Sequence, residues 1–115
     1  MFKKLRTVIY HAKDIEAAKN WYIKATGIKP YFDEPFYVGF DINGSELGLD
    51  ADIPGPTTGN HSVSYWAVDD AAKAAKKLTG IGGKLIQPRT NVGGPIFVAI
   101  VEDPFGNQIG LIEGA

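Results

Sequence analysis

The segment Asp41-Ile42-Asn43-Gly44-Ser45-Glu46-Leu47-Gly48-Leu49 returns 62 positions later as Asp103-Pro104-Phe105-Gly106-Asn107-Gln108-Ile109-Gly110-Leu111. Asp, both glycines and the final Leu keep their offsets, while Leu47 is answered by Ile109 and Glu46 by Gln108. Setting Thr7 on Val63 also sets Asp14 on Asp70, a shift of 56, so the echo has a consistent beginning as well as an end. In a chain of 115 residues, two such copies leave room for little else than one supersecondary unit built twice.

The unit reads as β-α-β-β-β. Leu5 to Ala12 is a strand with β-branched Val8 and Ile9. Asp14 caps a helix to about Thr26, with Ile15, Ala18, Tyr22 and Ala25 at helical spacing; Gly27 ends it. A weaker strand near Lys29 to Phe32, a strand Phe36 to Phe40, a type I turn over Asp41 to Gly44 and a strand Glu46 to Asp50 follow. Pro54, Gly55, Pro56 and Gly59 mark a linker over about 53–60. The second copy runs through a strand Val63 to Val68, a helix capped by Asp70 to about Leu78, and a stop at Gly80, Gly82 and Gly83. A short strand Lys84 to Gln87, a loop Arg89 to Pro95, a strand Ile96 to Glu102, a type I turn Asp103 to Gly106 and a strand Gln108 to Ile112 complete it. The expectation is an α+β fold, one domain over 1–115: modules 1–52 and 61–115 form a curved, open eight-stranded sheet with helices outside and a central cavity.

Composition narrows the function classes. A net charge of −1 offers no field for nucleic acid or anionic lipid, so neither is expected as a partner. No apolar run reaches the roughly 18 residues of a membrane span. Met1-Phe2-Lys3-Lys4 lacks the apolar stretch of a secretory signal, and a cytoplasmic location is expected. Without cysteine there is no disulfide, thiolate nucleophile or Cys-based zinc site. P-loop, dinucleotide and Ser-His-Asp patterns are also missing.

Asp103-Pro104-Phe105-Gly106-Asn107 followed by Ile109-Gly110-Leu111-Ile112-Glu113 resembles the closing motif of the vicinal oxygen chelate superfamily, which includes glyoxalase I, extradiol dioxygenases and bleomycin-resistance proteins. Asp14, Ala18, Trp21-Tyr22 and Gly27 are similar to that family's first helix. The resemblance implies a homodimer and, in the family's enzymes, a divalent metal held by His, Gln or Glu on the first and last strand of each module. Carried over by motif, those four positions are Thr7, Gly48, Val63 and Gly110. None offers a competent side-chain ligand. The expectation is therefore no metal cofactor and a small-molecule ligand held in the cavity.

Thr7, Ile9, His11, Tyr37, Gly48, Val63, Tyr65, Phe97 and Gly110 are the candidate ligand contacts. Two further classes stay open: a lyase or isomerase with a metal displaced to His11, Glu46, His61 and Gln108, and a non-catalytic protein-interaction module. Strand parity puts the four displaced candidates on one side, but the stronger reading is the plain one: His61 adjoins the linker, and Glu46 and Gln108 sit beside turns. His11 is read as an anion contact or proton carrier, or as a strand-end histidine. Gly48 and Gly110 either mark strand bends or widen the pocket floor. The stretch Pro88 to Gly94 is either a closing loop or a plain connector.

Overall fold

The computed structural model describes residues 1–51 and 63–114; the expected linker and His61 lie outside them. The chain divides into two units, Met1–Gly59 and Asn60–Ala115, each with its own helix and sheet.

The first unit runs β1 (Thr7–His11), α1 (Ile15–Thr26), β2 (Phe32–Glu34), β3 (Tyr37–Ile42) and β4 (Ser45–Asp50). Asp14 starts α1 by accepting the Ala17 N–H at 3.1 Å. Gly27 ends it in the left-handed region at φ 71°, its N–H donating to Ile23 O. The sheet order is β1-β4-β3-β2, with β1 parallel to β4 and the other pairs antiparallel. Parallel neighbours need a crossover, and the chain between β1 and β4 supplies it in α1.

Register sorts the side chains. Val8 pairs with Leu47 and Tyr10 with Leu49, while Val38 and Phe40 pair with Leu49 and Leu47. That face carries the core: Tyr10, Val38, Phe40, Leu47 and Leu49 are buried together with Ala18, Trp21 and Tyr22 of α1. Tyr22 stacks on Tyr10 at 5.8 Å between ring centroids, and Trp21 meets Tyr22 edge-on at 4.8 Å. The alternate residues Thr7, Ile9, His11, Tyr37, Glu46, Gly48 and Asp50 share the face away from this core.

The second unit repeats the plan with β5 (Ser64–Ala67), α2 (Ala71–Gly80), β6 (Lys84–Gly93), β7 (Ile96–Glu102) and β8 (Gln108–Glu113), in the order β5-β8-β7-β6. Asp70 accepts the Lys73 N–H at 3.0 Å, as Asp14 does for Ala17. Ile9 opposes Gly48 and Tyr65 opposes Gly110, so the two sequence shifts meet on one equivalent rung. The two βαβββ modules expected from the repeat are present.

Three local expectations are corrected. Asp41 to Gly44 is not a type I turn: Ile42 pairs with Ser45 across Asn43 (φ 50°) and Gly44 (φ 93°), a two-residue loop with positive φ at both places. Such a type I′ turn follows the twist of the flanking strands. Asp41 Oδ1 accepts the Gly44 N–H at 2.8 Å and secures it. The expected loop Arg89 to Pro95 is mostly strand, because β6 continues to Gly93. Pro88 is tolerated since β6 is an edge strand, and three register shifts absorb the irregularity. The weak strand lies at Phe32–Glu34, later than Lys29 to Phe32.

The turn at Asp103 is as expected, with Gly106 N donating to Asp103 O at 3.3 Å. The Asp103 carboxylate, 3% exposed, accepts the N–H groups of Phe105 (2.9 Å) and Asn107 (2.7 Å) and the Asn107 amide (2.9 Å). Asp103→Ala should lower stability by about 2–3 kcal/mol in urea unfolding, since three donors lose a charged acceptor. Gly44→Ala should cost about 1–2 kcal/mol. An Asp103→Ala loss under about 0.5 kcal/mol, the level of an ordinary surface change, would show that the turn does not depend on this carboxylate.

Candidate functional site

On the first module's open face, the site is built around a carboxylate. Glu46 lies on the Thr7 rung of β1 and the Asp41 rung of β3. Tyr37 Oη donates to Glu46 Oε1 at 2.9 Å, and Tyr31 Oη donates to Oε2. The Thr7 hydroxyl adds a third hydrogen bond. Partial burial pushes the Glu46 carboxyl up, but hydrogen bonds from Tyr31, Tyr37 and Thr7, aided by the Arg6 charge, outweigh it, so its pKa lies below 4.5. The phenols respond the other way: burial and then Glu46 raise Tyr37, and the bond to Glu46 raises Tyr31. At neutral pH the cluster is one carboxylate receiving three hydroxyl protons.

The same geometry decides between the two readings of the glycines. A Cβ placed on Gly48 would stand 2.7 Å from Tyr37 Cζ, and one on Gly110 would stand 2.8 Å from Tyr65 Cγ. Each glycine is covered by a tyrosine ring of its own module. The missing side chains make room for those rings, and the wider pocket floor expected from sequence is not formed at either place.

Of the nine candidate contacts, Thr7, Ile9, His11, Tyr37 and Gly48 share the first module's open face; Ile9 is exposed and His11 sits opposite Asp50. Tyr65 and Gly110 share the equivalent face of the second, with Val63 half-buried just before β5. Phe97 is a correction. It pairs with Glu113 and alternates with Val98, which places it on the face of Ala99, Val101, Ile109 and Leu111. There the Arg89 guanidinium lies 3.5 Å above its ring.

Metal chemistry can be tested against these donors. Thr7 is engaged with Glu46, Gly48 and Gly110 have rings over them, and Val63 has no donor atom. This set does not fit a divalent ion. For the displaced set, Glu46 has no other member of the set beside it in the first module. His11 is four positions along the ladder from the Glu46 rung, roughly 13 Å of strand. Gln108 is exposed opposite Glu102, and His61 lies outside the described residues. Among the described residues no group of three His, Asp or Glu is placed to hold a metal.

Sequence reasoning missed Tyr31, Arg6 and Asp41 at the site, and the pairing of Arg89 with Glu113. Glu113 accepts the Arg89 Nε (2.8 Å) and Nη2 (2.9 Å) protons and the first N–H of α2, from Ala71, at 2.7 Å. The carboxylate thereby ties β6 and β8 to the helix N-terminus. Its pKa falls to about 2, first through Arg89 and then through the Ala71 N–H.

These features define a small α+β protein of paired modules, with a ring over the same glycine in each. The model of the Glyoxalase/Bleomycin resistance protein/Dioxygenase superfamily matches residues 4–111, and the chain belongs to that family. Among solved structures, a glyoxalase-related enzyme from Fulvimarina pelagi is similar at TM-score 0.80 and 18% identity, over 98% of this chain and 89% of that one. A glyoxalase/bleomycin resistance protein/dioxygenase family enzyme from Burkholderia phytofirmans PsJN gives 0.76 and 21%, over 96% and 98%. A lactoylglutathione lyase from Agrobacterium tumefaciens gives 0.75 and 15%, over 96% and 93%. At these identities the likeness is one of fold. No curated protein sequence matches significantly.

The Glu113 linkage has a definite sign. A carboxylate whose pKa drops from 4.5 to about 2 on folding gives stability that is complete above 4.5 and is lost as pH falls toward about 2. Thermal unfolding across that window should show a falling midpoint in the parent and a shallower fall in Arg89→Gln. Equal slopes would mean that the ion pair does not form in solution.

Proposed function

We propose that this chain binds a small organic molecule on the open faces of its modules and does so without the divalent metal that enzymes of the family use. One observation carries the reading: the family's ligand positions hold Thr7, Gly48, Val63 and Gly110, and tyrosine rings occupy the space over both glycines. Candidate contacts are Thr7, Ile9, His11, Tyr37, Val63 and Tyr65, with the rings of Tyr37 and Tyr65 standing over Gly48 and Gly110. Aromatic faces beside acidic and hydroxyl groups supply the mixed apolar and polar lining that small-molecule sites use. A homodimer in the cytoplasm is part of the same proposal.

Metal analysis of protein purified without chelators is the first test, with substoichiometric Zn, Ni, Co, Mn and Fe expected and no change of melting temperature in EDTA. Stoichiometric metal that is released by His61→Ala would overturn the metal-free reading. A thermal-shift screen of aromatic amines and small acids should find a stabilising compound; at about 100 times its Kd a ligand adds about 2.7 kcal/mol. Tyr65→Ala and Tyr37→Phe should weaken whatever binds. If every compound fails at millimolar concentration, the binding reading falls.

A further inference from the structure

A cavity of about 380 Å³ at one end of the first sheet is lined by Arg6, Thr7, Tyr31, Asp41, Gly44 and Glu46. Its volume is at the small end of ligand pockets, which run from roughly 300 to 1,000 Å³. The protons in its wall can be assigned. Each hydroxyl has a single proton to give, and those of Thr7 and Tyr31 go to Glu46, as does that of Tyr37 behind it. The Gly44 N–H is spent on Asp41 Oδ1. Toward the cavity, therefore, Thr7, Tyr31, Asp41 and Glu46 offer acceptors, and among the described lining residues Arg6 is the one side chain whose protons are not assigned to a partner.

A wall of this kind discriminates among charge types. An anion would meet Arg6 but also two carboxylates. A cation would meet the carboxylates but also the guanidinium. We propose that the cavity binds a small zwitterion of the α-amino acid class, its ammonium group on the acceptors of Tyr31, Asp41 and Glu46 and its carboxylate on Arg6. An ammonium supplies three donors to that array, and a carboxylate suits the planar guanidinium fork. The proposal rests on the reading that this open face takes a small molecule, and it names the class.

Three probes with one carbon skeleton separate the contributions: L-leucine, isopentylamine (no carboxylate) and 4-methylpentanoate (no ammonium). Calorimetry with the intact chain should show leucine binding at least roughly tenfold more tightly than either fragment. Arg6→Gln, at an exposed position, should weaken leucine by roughly tenfold and should not weaken isopentylamine, which loses a like charge and no hydrogen-bond partner. Glu46→Gln should weaken leucine and the amine together. Equal affinity for leucine and either fragment, or leucine binding indifferent to Arg6→Gln, would overturn the proposal. So would failure of leucine to bind at millimolar concentration. In that case a compound from the amine and acid screen that still stabilises the protein leaves the broader binding reading standing, whereas failure of both removes both.

Discussion

The parallel pairing of the first and last strand in each module governs what the rest of the structure can do. Parallel strands cannot be joined by a tight turn, so the chain must cross over, and the crossover helix covers one face of the sheet. That choice turns Val8, Tyr10, Leu47 and Leu49 to the side that carries the core and Thr7, Ile9, Glu46 and Gly48 to the other. A slip of one residue would exchange the two sets and bury Glu46 against Trp21 and Tyr22, away from the water and the Tyr31, Tyr37 and Thr7 hydroxyls that keep it charged. Core and site are thus two consequences of one register.

Glu46 shows how such a face can keep a carboxylate charged without a cation in direct contact. Three hydroxyls donate to it, and Arg6 contributes through its field. Hydrogen bonds to an ionised acceptor are stronger than those between neutral groups, which is why they outweigh the desolvation of a half-buried group. The cost is borne by the tyrosines, whose deprotonation becomes harder. The cluster therefore favours a fixed charge over a titrating one, and suits recognition better than proton transfer near neutral pH.

Much of the fold was legible because each boundary had a local cause. Asp14 with Gly27 delimits α1, Asp70 starts α2, and Asp103 with Gly106 makes its turn, and all of these depend on residues within a few positions of one another. What escaped depended on partners far along the chain. The glycines of 89–95 made that segment look like a loop, yet β6 runs on to Gly93 as an edge strand, which needs hydrogen bonds on one side only. Asn43-Gly44 was read one residue out of frame, which changed the turn type. The Tyr31 contact spans 15 positions from an irregular segment whose register no pattern announced. Phe97 was placed by its aromatic character, whereas pairing with Glu113 decides its face.

The glycines show where sequence runs out and geometry takes over. From sequence alone, Gly48 and Gly110 in equivalent copies suggest a common inheritance that left an open floor. The structure covers both, but from different strands: Tyr37 of β3 lies over Gly48, and Tyr65 of β5 lies over Gly110. By register, the counterpart of Tyr65 in the first module is Ile9, opposite Gly48, and the counterpart of Tyr37 in the second is Val98, opposite Ile112. Neither ring is therefore repeated by the duplication. The shared feature is the glycine, and each module fills the space above it in its own way. A glycine inside a strand weakens it unless something packs there, and a tyrosine ring supplies that packing while leaving its hydroxyl for polar work. In the first module the hydroxyl is bound to Glu46. In the second, Tyr65 is 46% exposed, so the two covers, set over equivalent glycines from different strands, differ in what they present to a ligand.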